Sequence, residues 1–149
     1  MTENANTSTG SSDLHITPIG VGAWARGGGG WDGSMGPQSD RDSIPAIQAA
    51  LDHGLNWIDT AALYGLGHSE EIVALAIRGR VPRPFVFTKC ERVGDKDGKI
   101  GASLKASSVR RECGDSLRRL RTDVIDLYQI HWPETARRRR RRLDRAGPS

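Results

Sequence analysis

The sequence predicts a parallel α/β fold, and three observations carry that reading. Short runs rich in β-branched and aromatic residues, such as FVFTKC, have the character of strands. Other segments repeat apolar residues at helical spacing. The two kinds alternate without interruption as strand, helix, strand, helix, strand, helix, strand, the pattern of right-handed crossovers in a parallel sheet. The element lengths suit either a doubly wound sheet or half of a (β/α)8 barrel.

Residues 1–13 are rich in Ser, Thr, Asn and Gly and are expected to be disordered. LHITPIGVGAW (14–24) alternates short apolar residues with breakers and reads as a strand or small hairpin. A glycine-rich loop, ARGGGGWDGSMGPQSD, fills 25–40. Ser39 or Asp40 is placed to cap the first helix, DSIPAIQAALDHG, where Ile44, Ile47, Ala50 and Leu51 share a face. Pro45 falls in its first turn, where proline is tolerated, and Gly54 stops it. LNWIDTA (55–61) is the second strand, followed by the loop LYGLGH.

Ser69 is predicted to cap EEIVALAIRG, with Glu70 and Glu71 favouring the positive end of the helix. RVPRP breaks the chain before the third strand, FVFTKC (85–90), and ERVGDKDGKIGAS is expected to be a loop. Ser107 or Ser108 opens the third helix, VRRECGDSLRRLRTD, with Val109, Cys113, Leu117 and Leu120 on one face. VIDLYQIHW (124–132) is the fourth strand.

The 149 residues fit one domain, with a formal net charge of +4. The charge is unevenly placed. Residues 137–149 hold seven arginines and one aspartate, six of the arginines in the run Arg137 to Arg142, while 1–136 carry 15 basic against 17 acidic residues. The body therefore lacks the basic face of a nucleic-acid binder, and such contacts are expected only non-specifically, through the arginine tail. Cys90 and Cys113 are too few and too far apart for a disulfide framework or a zinc knuckle, and no metal site is read. No secretory signal and no apolar run near the roughly 20 residues of a membrane span is present, which reads as a soluble, cytoplasmic protein.

Gly20, Gly22 and Ala25 spell G-x-G-x-x-A, the dinucleotide fingerprint, but that mechanism needs a helix starting on the turn. Here the turn runs into RGGGGWDG, so the Rossmann reading is set aside. The chemistry lies instead where the strands end. The second strand ends in Asp59 with Tyr64 in the loop after it, the third in Lys89, and the fourth in His131. In a parallel α/β fold those edges converge on one crevice. Taken singly, Asp59 caps a turn, Tyr64 packs, and His131 is a satisfied core histidine. Lys89 on an apolar strand needs a partner, and Asp59 on the same edge can supply one. A free tyrosine is a poor donor at neutral pH; a lysine ammonium beside it stabilises the phenolate, and a carboxylate holds the lysine charged. A histidine beside them can hydrogen-bond a carbonyl oxygen, completing a general-acid site for protonating that oxygen as hydride reaches the adjacent carbon.

DTAALYG, FTKC and DLYQIHWP, with GVGAW and HSEEIVALAI, resemble the aldo-keto reductase family over about 14–134. The resemblance implies a (β/α)8 barrel of which this chain holds about the first four β/α units. It also implies NADPH bound without a Rossmann fold, and the reduction of small aldehydes or ketones. By motif, Tyr64 would donate the proton, Lys89 and Asp59 would tune it, and His131 would orient the carbonyl. Gly22, Trp24 and Asp59 would lie along the cofactor. Members run to about twice this length, so the sequence predicts a truncated enzyme with little activity by itself, its cofactor clamp absent, and a disordered tail over 135–149. A half-barrel leaves long unpaired edges, which association of two copies would cover. The abrupt arginine run reads as out-of-frame coding after a truncating change. The alternative function is a non-catalytic α/β fragment whose tail makes weak polyanion contacts.

Overall fold

The computed structural model describes residues 7–94 and 99–133. A hairpin of β1 (Thr7–Ser8) and β2 (His15–Ile16) comes first, then β3 (Val21–Gly22), α1 (Asp40–Asp52), β4 (Trp57–Asp59), α2 (His68–Ile77) and β5 (Phe85–Cys90). A second hairpin, β6 (Arg92–Gly94) and β7 (Ile100–Ala102), precedes α3 (Ala106–Leu120) and β8 (Leu127–Ile130). Four strands form one parallel sheet in the order β3-β4-β5-β8. Among the described residues this is a partial β/α barrel, with each crossover helix packed on one face of the sheet.

Side-chain alternation divides that sheet into two faces. Ile58 and Val86 point to the helices and are fully buried against Ile47 and Leu51 of α1, Ile72 and Val73 of α2, and Leu120 of α3. Burying each such side chain contributes about 1.5–3 kcal/mol, and this layer holds the strands in register. Trp57, Asp59, Phe85, Phe87 and Lys89 point the other way. Trp57 stacks on Phe87 there at 5.2 Å between ring centroids. The register sets Gly22, Asp59, Phe87 and Leu127 level across the sheet, with Lys89 and Gln129 level one pleat further on.

The structure departs from the sequence reading at several elements. Within 1–13, expected to be disordered, residues 7–13 belong to the first hairpin; 1–6 lie outside the described residues. Its polar side chains close their own turn, with Ser12 Oγ donating to Thr9 O at 2.6 Å and Ser8 Oγ to Ser12 O at 2.8 Å. Asn56 ties the hairpin to β4: its Oδ1 accepts from Thr17 N at 2.9 Å and its Nδ2 donates to His15 O at 2.9 Å. At Gly20, just before β3, a β-carbon would collide with the Trp57 indole of β4, so the close approach there requires glycine. The turn after β3 is a short 3-10 segment, Trp24–Gly27, and not the α-helix a dinucleotide fold requires.

The charged stretch after β5 was expected to be a loop, and it forms the β6–β7 hairpin instead, paired from Arg92↔Ala102 to Gly94↔Ile100. Ser69 does not cap α2. Gly67, in the left-handed conformation at φ 104, holds that position, and Ser69 lies inside the first turn. The buried stripe of α3 is also displaced by one residue, to Ser108, Glu112, Ser116 and Leu120, leaving Val109, Cys113 and Leu117 half-buried. Polar bonds decide this rotation of the helix. Glu112 accepts from Ser108 Oγ at 2.7 Å and from the Glu91 backbone N–H at 2.8 Å. Arg119 Nε donates to Glu70 Oε2 at 2.6 Å. The predicted tail over 135–149 lies outside the described residues.

Candidate active site

The C-terminal edges of the parallel strands and the loops that follow them converge on one cleft. Two loops build its upper wall by touching at paired glycines. Gly27 and Gly65 are in backbone contact, and a β-carbon on either would strike the other's main chain. Gly65 also has φ 61, a left-handed value that costs a side chain energy. This crossing lays Trp24 nearly parallel to Tyr64, with centroids 6.1 Å apart and planes 16° from parallel. Trp31 leans on Tyr64 at 6.3 Å. Both indoles are anchored, Trp24 Nε1 donating to Gly33 O at 2.9 Å and Trp31 Nε1 to Gly28 O at 3.0 Å.

Lys89 reaches the same point from β5, its side chain only 12% exposed. Its ammonium has three donors and three acceptors around it: Asp59 Oδ2 at 2.7 Å, Thr60 O at 2.9 Å and Tyr64 Oη at 3.4 Å. Because the tyrosine oxygen accepts from the lysine, its own O–H is free to point into the cleft. The other Asp59 oxygen, Oδ1, accepts from Gln129 Nε2 at 3.2 Å.

His131 follows β8, its backbone N–H bonded to Cys90 O at 3.1 Å and its ring edge-on to Tyr64 at 5.7 Å. Burial, with smaller contributions from the cations Lys89 and Arg92, lowers its pKa from 6.5 to about 4 against the opposing pull of Asp59. The imidazole is therefore neutral at physiological pH and able to donate one hydrogen bond without carrying charge.

The strand ends are braced from the helix side by the first turn of α2. Ser69 Oγ donates to Ala23 O at 2.7 Å and shares a hydrogen bond with Thr60 Oγ1 at 3.0 Å. Fully buried Glu70 accepts from Thr88 Oγ1 at 2.6 Å, next to Lys89 on β5, and pairs with Arg119. One turn of helix thus fixes the ends of β3, β4 and β5 relative to one another.

Asp59, Tyr64, Lys89 and His131 are all brought together. Trp24 joins them across Tyr64, and Gly22 lies level with Asp59 with open space where its side chain would be. The resulting cleft has a volume of about 190 Å3 and is lined by Trp24, Trp31, Leu63, Tyr64, His131 and Trp132, with exposed Asp32 at its margin. Trp31, Trp132 and Gln129 were missed by the sequence reading. Gln129 was recoverable from strand period alone, since it lies two residues before His131 on the face that carries the site.

The model of the Aldo/keto reductase family matches residues 18–140, starting later than the sequence resemblance and running past its end at 134 into the arginine run. The aldo-keto reductase YhdN of Bacillus subtilis is 40% identical over 129 residues, covering 86% of this chain and 38% of its own length. The solved structure of the glycerol dehydrogenase AKR11B4 from Gluconobacter oxydans superposes with a TM-score of 0.72 at 40% identity, over 88% of this chain and 40% of that one. An aldo-keto reductase from Klebsiella pneumoniae, solved in complex with NADPH, has a TM-score of 0.61 at 33% identity, over 79% of this chain and 36% of that one. The chain thus spans roughly two fifths of the length of the relatives it matches.

Proposed function

The chain belongs to the aldo/keto reductase family, and from that premise we propose that its cleft is the acid–base part of a site that reduces a small aldehyde or ketone with NADPH. The observation that carries the proposal is the use of the Lys89 ammonium. Its three donors go to Asp59, to a backbone carbonyl and to Tyr64, so a cation stands at the oxygen from which the proton must leave. The negative charge that develops on the phenol as it donates is stabilised by that cation in a site sheltered from water. His131, neutral, donates a hydrogen bond to the substrate oxygen and orients the carbonyl toward Tyr64.

The residues present fit a nicotinamide. Gly22 leaves an open surface beside Asp59, and Trp24 is 49% exposed at the rim, where a flat ring can lie along it. When bound, the dihydronicotinamide supplies the hydride, and this chain's part is to place the carbonyl, exclude water with three indoles and deliver the proton from Tyr64. The proposal includes the low activity of these 149 residues alone, because most of the length of the matched relatives lies outside the shared region. The alternative, polyanion contact through Arg137 to Arg142, concerns residues outside the described ones.

Two measurements test the reading. NADPH and NADH fluorescence titrations of the chain are expected to show no saturable micromolar binding; such binding with turnover overturns the low activity. Residues 18–133 grafted in place of the matched segment of the Bacillus subtilis relative are expected to support NADPH-dependent aldehyde reduction. Tyr64→Phe in that graft is expected to lower kcat by about 10²- to 10⁴-fold. Turnover that survives the substitution removes Tyr64 as the donor.

A further inference from the structure

The three-way use of Lys89 raises a question of competition. A carboxylate has two oxygens, and Asp59 spends only Oδ2 on the lysine. An Oδ1 left without a partner in a half-buried position is costly and would compete for a second donor of the rotatable lysine ammonium. The nearest such donor is the one aimed at Tyr64 Oη, at the longest of the three distances, 3.4 Å. What prevents this is on β8. Gln129 stands level with Lys89 in the sheet register and gives its amide to Asp59 Oδ1 at 3.2 Å. The ionised carboxylate only accepts, so the Gln129 NH2 and not its carbonyl faces it. Its backbone is itself held, because the strand pairs with β5 on both sides of this point and the Gln129 main-chain carbonyl accepts from Cys90 Sγ at 3.4 Å.

We propose that Gln129 is a positioning residue for the proton donor: by occupying one oxygen of Asp59 it leaves a Lys89 N–H directed at Tyr64. It touches neither the phenol nor the cleft where the carbonyl would lie, and it acts through two intermediates, the carboxylate and the ammonium. The inference rests on the reading of Tyr64 as proton donor. It accounts for a polar side chain, on the inner face of the sheet, that the acid–base tetrad does not use.

The chain makes an optical test direct. It has two tyrosines, Tyr64 and Tyr128, so the phenolate absorbance that develops on alkaline titration and is lost in Tyr64→Phe belongs to Tyr64. That difference band is the one followed in the Gln129 variants, each compared with its own Tyr64→Phe double variant. In Gln129→Leu the band is expected to appear at higher pH than in the unsubstituted chain, with thermal melting and circular dichroism little changed. Gln129→Glu, isosteric and folded with the same backbone bonds, places a second carboxylate against Asp59 and is expected to move the band further in the same direction. Gln129→Asn retains the amide and is expected to restore part of the difference. A band unmoved in both Leu and Glu variants, or moved only in proportion to lost melting temperature, overturns the proposal. The titration needs neither cofactor nor carbonyl, so failure of the reductase reading leaves its outcome intact. In the grafted enzyme Gln129→Leu is expected to lower kcat and shift its pH profile while leaving the KM for the aldehyde nearly unchanged.

Discussion

His131 illustrates how much of a residue's chemistry comes from what surrounds it. Its imidazole carries a proton near pH 6.5 when solvated and only near pH 4 in the fold, because burial and the neighbouring cations oppose the charge. The unfolded chain therefore binds more protons than the folded one between those values, and stability falls as the pH drops from about 6.5 to 4. Above pH 6.5 both states are neutral there, so the slope vanishes and the stability is at its full value. Urea midpoints measured across this window are expected to show that slope, and His131→Gln is expected to flatten it. In the same chain the His131 ring protons should show no NMR titration until near pH 4. None of this was legible from the sequence. A histidine at a strand end is visible; the packing that strips its proton is not. Three of the four proposed site residues were legible because Asp59, Lys89 and His131 lie at or beside the C-terminal ends of parallel strands, which fixes their edge before any side chain is placed.

Elements were legible to the extent that their own apolar pattern decided them. FVFTKC is a strand over the residues expected, since β-branched and aromatic side chains leave little alternative. Helix α3 was found, but its inward face was misjudged because Glu112 and Arg119 form bonds that a hydrophobic pattern does not register. The same holds for Ser69, whose hydroxyl serves Ala23 and Thr60 and not its own helix. The loop crossing at Gly27 and Gly65 was invisible for a different reason: sequence shows that a glycine is present, not which backbone it must admit. Gly65→Ala combines a left-handed φ of 61 with a main-chain collision and is expected to destabilise the fold by about 2–4 kcal/mol. Gly30→Ala, with left-handed φ but open space, is expected to cost only about 1–2 kcal/mol. Chemical denaturation of both variants measures the difference, and loss of the near-ultraviolet aromatic signal is expected for Gly65→Ala alone.

The parallel order of the whole sheet followed from strict alternation of strands and helices, and the register that makes it a site did not. Its outer strand, β8, pairs with β5 alone among the described strands, and Val124, Ile130 and Trp132 beside it are 53%, 54% and 59% exposed. An apolar open edge favours pairing between copies. Sedimentation velocity is expected to show concentration-dependent association of the chain, and Ile130→Lys is expected to weaken it. Concentration-independent monomers would remove the proposal.

The placement of the indoles has an optical consequence. Of the chain's four tryptophans, Trp24, Trp31 and Trp132 wall the cleft, and Trp57 stacks on Phe87 on the same face of the sheet as Lys89. Three of the four indoles that emit under ultraviolet excitation therefore stand at one place. Tyr64, wedged between two indoles, passes its excitation to them instead of emitting. Whatever enters the cleft alters the light the protein gives off, and the site announces its own occupancy without a label.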